Sequence, residues 1–89
     1  MDPIVMDDEK TNHLRDQVEG IITSISEEIT MHDFRVVWGK SHSNLIFDIC
    51  VPYEFRYTDK EICDLLEKKL QELNPTYFGV ITVDHLYGS

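Results

Sequence analysis

The stretch that decides the fold is His32-Asp33-Phe34-Arg35-Val36-Val37-Trp38, then Gly39-Lys40-Ser41, then residues 42–51, which hold Leu45-Ile46-Phe47-Asp48-Ile49 and end on Val51. Two runs rich in β-branched and aromatic residues flank a short glycine-containing turn, the pattern of a β-hairpin. Pro52 closes the second run, because proline cannot donate to a strand ladder. A three-residue turn at 39–41 sets Trp38 opposite His42. It follows that His32 faces Asp48, Phe34 faces Ile46 and Val36 faces Asn44.

Outward from the hairpin, Leu14, Val18, Ile21, Ile22 and Ile25 make one apolar stripe at helical spacing. Asp7-Asp8-Glu9 puts acid where a helix start favours it. The segment 24–30 ends that helix. Residues 1–7 are expected to form a tail or a short edge strand through Ile4–Met6. On the other side of the hairpin, Thr58-Asp59-Lys60-Glu61 has the form of a capping box. It precedes an amphipathic run through Ile62, Leu65, Leu66, Leu70 and Leu73, and Asn74-Pro75 stops it. A third strand runs from Tyr77 to Asp84. The expected order is α-β-β-α-β, an α+β, ferredoxin-like or metallochaperone-like two-layer sandwich with a three-stranded mixed sheet.

If the second helix is a crossover, strands two and three are parallel. His32, Asp48 and Asp84 then fall at the same end of the sheet. Alternation sorts the faces. Val37, Leu45, Phe47, Ile49, Val51, Ile81 and Val83 are expected under the helices. Phe34, Val36, Trp38 and Ile46 are expected on the other face, beside His32, Asp48, Thr82 and Asp84. No third layer covers that face, so Phe34, Val36, Trp38 and Ile46 are expected to form the interface of a symmetric homodimer.

Composition narrows the function. The chain has 89 residues, 17 acidic against 8 basic, and a net charge of −9. Nucleic acid is not an expected partner, since phosphate binding needs a basic surface. No run approaches the ~20 apolar residues of a membrane span, and residues 1–5 lack the basic region of a secretory signal. Cys50 and Cys63 form neither a C-x-x-C pair nor a zinc-finger spacing, and read as buried free thiols. There is no nucleophile–histidine pattern, phosphate loop or H-E-x-x-H, so no enzyme is expected.

His32 opposite Asp48 fits either a shared metal ion or a histidine–carboxylate hydrogen bond. Asp48 in particular needs a cation or a donor, because it interrupts an apolar strand. His42 is expected in solvent near the turn, His13 on the surface of the first helix, and Arg35 beside a carboxylate.

The order and spacing of His32-Asp33-Phe34-Arg35, Leu45-Ile46-Phe47-Asp48-Ile49 and Ile81-Thr82-Val83-Asp84 resembles the C-terminal cytoplasmic domain of the cation diffusion facilitators. The resemblance covers about residues 8–87 and leaves 1–7 as the junction to a membrane domain and 88–89 as a tail. It implies a dimerising domain on the cytoplasmic face of a divalent-cation efflux transporter. Bound metal would hold two subunits together and favour transport. Carried over, His32, Asp48 and Asp84 are metal ligands, with His85 and Glu61 in reserve. Thr82 stands where the family has a histidine, and helix two offers Glu61 or Cys63 in place of a bridging histidine. That set is richer in oxygen than a zinc site and leaves zinc, manganese and iron open. Two other readings share the fold: a metal-free structural dimerisation domain of the same transporter, and a free-standing domain binding a small effector.

Overall fold

A computed structural model describes the backbone of residues 3–86 and the side chains of residues 9–85. Helix α1 (Pro3–Ile25) leads into β1 (Thr30–Val37), β2 (Ser43–Pro52), α2 (Asp59–Leu73) and β3 (Tyr77–Leu86). The sheet order is β1-β2-β3, with β1 antiparallel and β3 parallel to β2. The α-β-β-α-β order and the mixed three-stranded sheet agree with the sequence reading.

Both helices lie against one face of the sheet. Leu45, Phe47, Ile49 and Val51 alternate along β2 and are at most 1% exposed. Leu14, Val18 and Ile22 of α1 and Ile62, Leu66 and Leu70 of α2 complete the core, joined by Ile29. The central strand is therefore buried on one side and half-open on the other, the pattern expected of a two-layer sandwich.

Local sequence explains the ends of α2. Thr58 caps it: its hydroxyl accepts from the Glu61 N–H at 3.2 Å, and the Glu61 carboxylate accepts from the Thr58 N–H at 2.8 Å. The Asn74 N–H then bonds to the Leu70 carbonyl at 3.0 Å, and the chain turns into β3. At the other end of the chain, α1 begins at Pro3. Ile4–Met6 are helical, so no edge strand forms through them, and Asp7-Asp8-Glu9 fall inside the helix; the ends of the expected tails, residues 1–2 and 88–89, lie outside the described residues.

The hairpin departs from its expected register. His32 does pair with Asp48, and Met31 with Ile49. Between His32 and Arg35 the register shifts, so that Arg35 pairs with Ile46, Val36 with Leu45 and Val37 with Asn44. Asp33 sits at the shift with φ of 55°, the one positive φ among the described non-glycine residues. Aspartate tolerates this left-handed backbone better than most side chains. The extra residue is a β-bulge, which opposes two residues on one strand to one on the other.

One extra residue reverses the alternation beyond it. Phe34, Val36 and Trp38 were expected on the uncovered face; they are packed instead against the core under the helices. The Phe34 and Phe47 rings lie 5.7 Å apart. Conversely Val37, expected in the core, is 56% exposed. Ile46 keeps its expected place on the uncovered side.

The turn between the strands is residues 38–42, two longer than expected. A side chain at Gly39 would drive its Cβ into the carbonyl oxygen of His42. The Gly39 N–H reaches the Ser43 hydroxyl at 3.3 Å and closes the turn.

Three substitutions have expected effects on stability. Phe47→Ala is expected to lower unfolding free energy in urea by about 3–5 kcal/mol, the range for a fully buried aromatic. Gly39→Ala is expected to destabilise by roughly 1–3 kcal/mol through the forced backbone shift, whereas Asp33→Gly is neutral or stabilising because glycine accepts the positive φ freely.

Candidate metal centre and the open sheet face

The uncovered face is a grid of side chains set by the pairing of the three strands. Its rows, read from β1 to β3, are Val37–Asn44–Phe78, Arg35–Ile46–Val80, His32–Asp48–Thr82 and Thr30–Cys50–Asp84. The first two rows are mainly apolar and the last two polar.

His32 and Asp48 face each other across the β1–β2 ladder, upstream of the bulge, where the expected register holds. Directly opposed side chains have Cβ atoms roughly 4.5–5.5 Å apart, within reach of one ion. The His32 Nε2 also lies 3.3 Å from the Thr30 hydroxyl. Asp48 is half-buried, and His32 is exposed.

Asp84 shares the face and the end of the sheet with this pair. It lies beside Cys50, in the next row, and two strands away from β1. Two strand spacings amount to about 10 Å. His32 and Asp84 therefore do not meet. Among the described residues, no three His, Cys, Asp or Glu side chains come together in a group that could hold a metal ion. Among the described residues, His32 and Asp48 are opposed with no third such side chain beside them.

The two reserve ligands are engaged elsewhere. Glu61 is held by the cap of α2. His85 points to the helix side, opposite to Asp84, and its Nε2 lies 2.8 Å from a carboxylate oxygen of Asp59 in the first turn of α2. Alternation along β3 separates Asp84 from His85, as the sequence predicts.

Two shallow depressions flank the bulge. Asp33, Phe34, Arg35, Ile46 and Asp48 line one. Arg15, Glu19, Met31, His32, Asp33 and Phe34 line the other, toward α1. Sequence reading missed Arg15 and Glu19 because nothing in the spacing of α1 relates them to β1. It missed the role of Asp33 because a bulge leaves no periodic signal of its own. Arg35, expected beside a carboxylate, lines the first depression with Asp33 and Asp48 but forms no ion pair among the described residues.

The apolar half of the face holds Val37 at 56%, Phe78 at 41% and Val80 at 51% exposure, together with Ile46. His42 is exposed and meets the Phe78 ring edge-on, with centroids 5.4 Å apart. The signal for Phe78 and Val80 was present in the alternation of β3, which sets them on the face opposite Ile81 and Val83. His13 is exposed, as expected. No described helix is long and apolar enough to cross a membrane.

This architecture is shared with a solved structure from work on the mode of action of CzrB, a protein proposed to transport zinc. The similarity has a TM-score of 0.59 and extends over 97% of this chain and 98% of that one, at 20% identity. At that identity the likeness establishes the fold. No protein-family model and no curated protein matches the chain.

Neither cysteine is in a disulfide. Burial pushes the Cys63 thiol above its ordinary range, and the carboxylates of Asp59, Glu67 and Asp64 push it further the same way. The thiolate is the reactive form, so a raised pKa leaves less of it at neutral pH. In a Cys50→Ser background, Cys63 is expected to alkylate with iodoacetamide several-fold more slowly at pH 8 than a free peptide thiol. Its rate should climb as pH rises past the ordinary thiol range. A rate equal to the free thiol at pH 8 would contradict this.

Proposed function

We propose that the chain is the cytoplasmic regulatory domain of a divalent-cation efflux transporter of the cation diffusion facilitator type. It works as a homodimer and binds a divalent cation through His32 and Asp48, without catalytic activity. The observation that carries this reading is the placement of His32 opposite Asp48 on the one uncovered face of the sheet. The shared fold with the solved chain from work on CzrB, itself proposed to transport zinc, supports it.

The dimer surface we propose differs from the one read in sequence. Val37, Ile46, Phe78 and Val80 form an exposed apolar patch on a sheet that has helices on its other side only. A second copy of the chain offers the same patch, so a two-fold arrangement can bury it against itself. The patch and the His32–Asp48 pair occupy successive rows. A partner seated on the first would come close to the second and could help to exclude water from the ion. Such closeness would let metal and dimer stabilise each other, which is the regulatory logic proposed here.

The chemistry of the donors bears on the metal. One imidazole and one carboxylate, with Thr82 as the third member of the row, form an oxygen-rich set that suits manganese or iron as well as zinc. Asp84 lies in the adjoining row, beside Cys50, and is placed to act through a bridging water.

Calorimetry and thermal unfolding with zinc, manganese and iron(II) test the metal. A ligand selective for the folded state raises the melting temperature. At a free concentration about 100 times Kd the stabilisation is about 2.7 kcal/mol, and His32→Ala with Asp48→Ala is expected to remove it. No heat and no shift with any of the three ions would overturn the metal assignment. Val80→Asp is expected to make the protein monomeric in sedimentation. A dimer that survives this change, or that forms equally well with Phe78→Asp, would place the interface elsewhere and leave the metal result to stand alone.

A further inference from the structure

Trp38 is the single tryptophan of the chain, and it is placed where three elements meet. Its indole N–H donates to the Thr11 hydroxyl of α1 at 3.1 Å. The Lys10 ammonium lies 4.5 Å from the centre of its ring. The Tyr77 ring, at the start of β3, meets it edge-on at 6.3 Å. Trp38 and Tyr77 thus form a clasp on the helix side of the sheet, around the third turn of α1.

The residues next to the clasp point the other way. Val37 precedes Trp38 and Phe78 follows Tyr77, and both are on the exposed apolar patch. Successive side chains of a strand face opposite sides. A patch residue and a clasp residue are therefore chain neighbours where β1 ends, at Val37 and Trp38, and where β3 begins, at Tyr77 and Phe78. Val37 and Phe78 are each one backbone step from Trp38 and Tyr77. The turn beside them is closed by the Gly39–Ser43 bond.

We propose that the Trp38–Tyr77 clasp couples the occupancy of the open sheet face to the seating of α1. A second copy of the chain on the patch tightens the clasp, and a tight clasp presents Val37 and Phe78 in the geometry the partner needs. This rests on the dimer reading above and assigns its regulation. Trp38, Thr11 and Lys10 are positioning residues; none of them lies on the patch. Linkage requires the effect to be reciprocal: what the partner does for the clasp, the clasp does for the partner.

The test uses the full chain and its own association as the probe. Thr11→Val removes the acceptor of the indole N–H and alters nothing on the open face. It is expected to weaken dimerisation, measured by sedimentation, by about fivefold or more, the lower end of common coupling strengths. Amide exchange in residues 10–14 is expected to slow by a similar factor when the wild-type protein dimerises, and Trp38 emission to shift with the same concentration dependence. Val80→Asp, held monomeric, should show neither change. A dimer whose formation leaves Trp38 emission and α1 exchange unaltered, with Thr11→Val dimerising normally, overturns the coupling and spares the dimer. A wild-type chain that stays monomeric at every concentration overturns both. Trp38→Phe serves as a second variant: it keeps an aromatic ring against Tyr77 and loses the donor, so it should reproduce Thr11→Val.

Discussion

Leu45, Phe47, Ile49 and Val51 leave water together on one side of β2, and the rest of the domain is arranged around that burial. A central strand with one dry face needs helices on that face and neighbours at both edges. Helix α1 meets β1 and α2 meets β3 across the core, so each helix secures one edge strand to the centre. In a chain this small the core has few layers, and each fully buried side chain carries a large share of a thin stability margin. The polar functions are consequently displaced to the other face, where Asp48 and Cys50 alternate with the core residues of the same strand.

The bulge at Asp33 is the second organising feature. It lets β1 satisfy two demands that a regular strand could not. Upstream of it, His32 must stand on the open face opposite Asp48. Downstream, Phe34, Val36 and Trp38 must reach the core. With strict alternation His32, Phe34 and Val36 would share a face; one extra residue separates them. The cost is a single aspartate in left-handed backbone, a conformation within its tolerance. The gain is a polar row with His32 on one side of the strand and an aromatic cluster on the other. The same device sets Arg35 and Val37 outward, creating both a charged depression beside Asp48 and the start of the apolar patch.

The arrangement also explains why the candidate metal donors are sparse. Three strands give each row of the open face only three positions, and His32, Asp48 and Thr82 fill the relevant one. Asp84 is displaced by one row because the parallel pairing of β2 and β3 sets it beside Cys50. Glu61 and His85 lie outside the face altogether, the first drawn into the cap of α2 and the second turned toward Asp59. Among the described residues, the grid sets His32 and Asp48 in direct opposition and brings no third such side chain to them.

Much of the architecture was legible in the residues. The capping box at Thr58–Glu61, the helical stripe of Leu14, Val18 and Ile22, the alternation of β2 and the stop at Asn74-Pro75 act locally, over a few residues, and local signals survive in sequence. Given a crossover helix, the parallel pairing of β2 and β3 and the opposition of His32 to Asp48 follow as well. Other features depended on the whole fold. Whether Phe34, Val36 and Trp38 face in or out turns on one bulge, and periodicity is identical with or without it until the partner strand is in place. Whether Asp84 joins His32 turns on distance across an intervening strand, which spacing along the chain does not encode. The sequence by itself determined the kind and order of the five elements; only the tertiary structure decided that residues 4–6 join α1, that the turn spans 38–42 and which face of β1 meets water. The physical reason is that parity along a strand is a local property until a single extra residue, stabilised by contacts with distant parts of the chain, resets it.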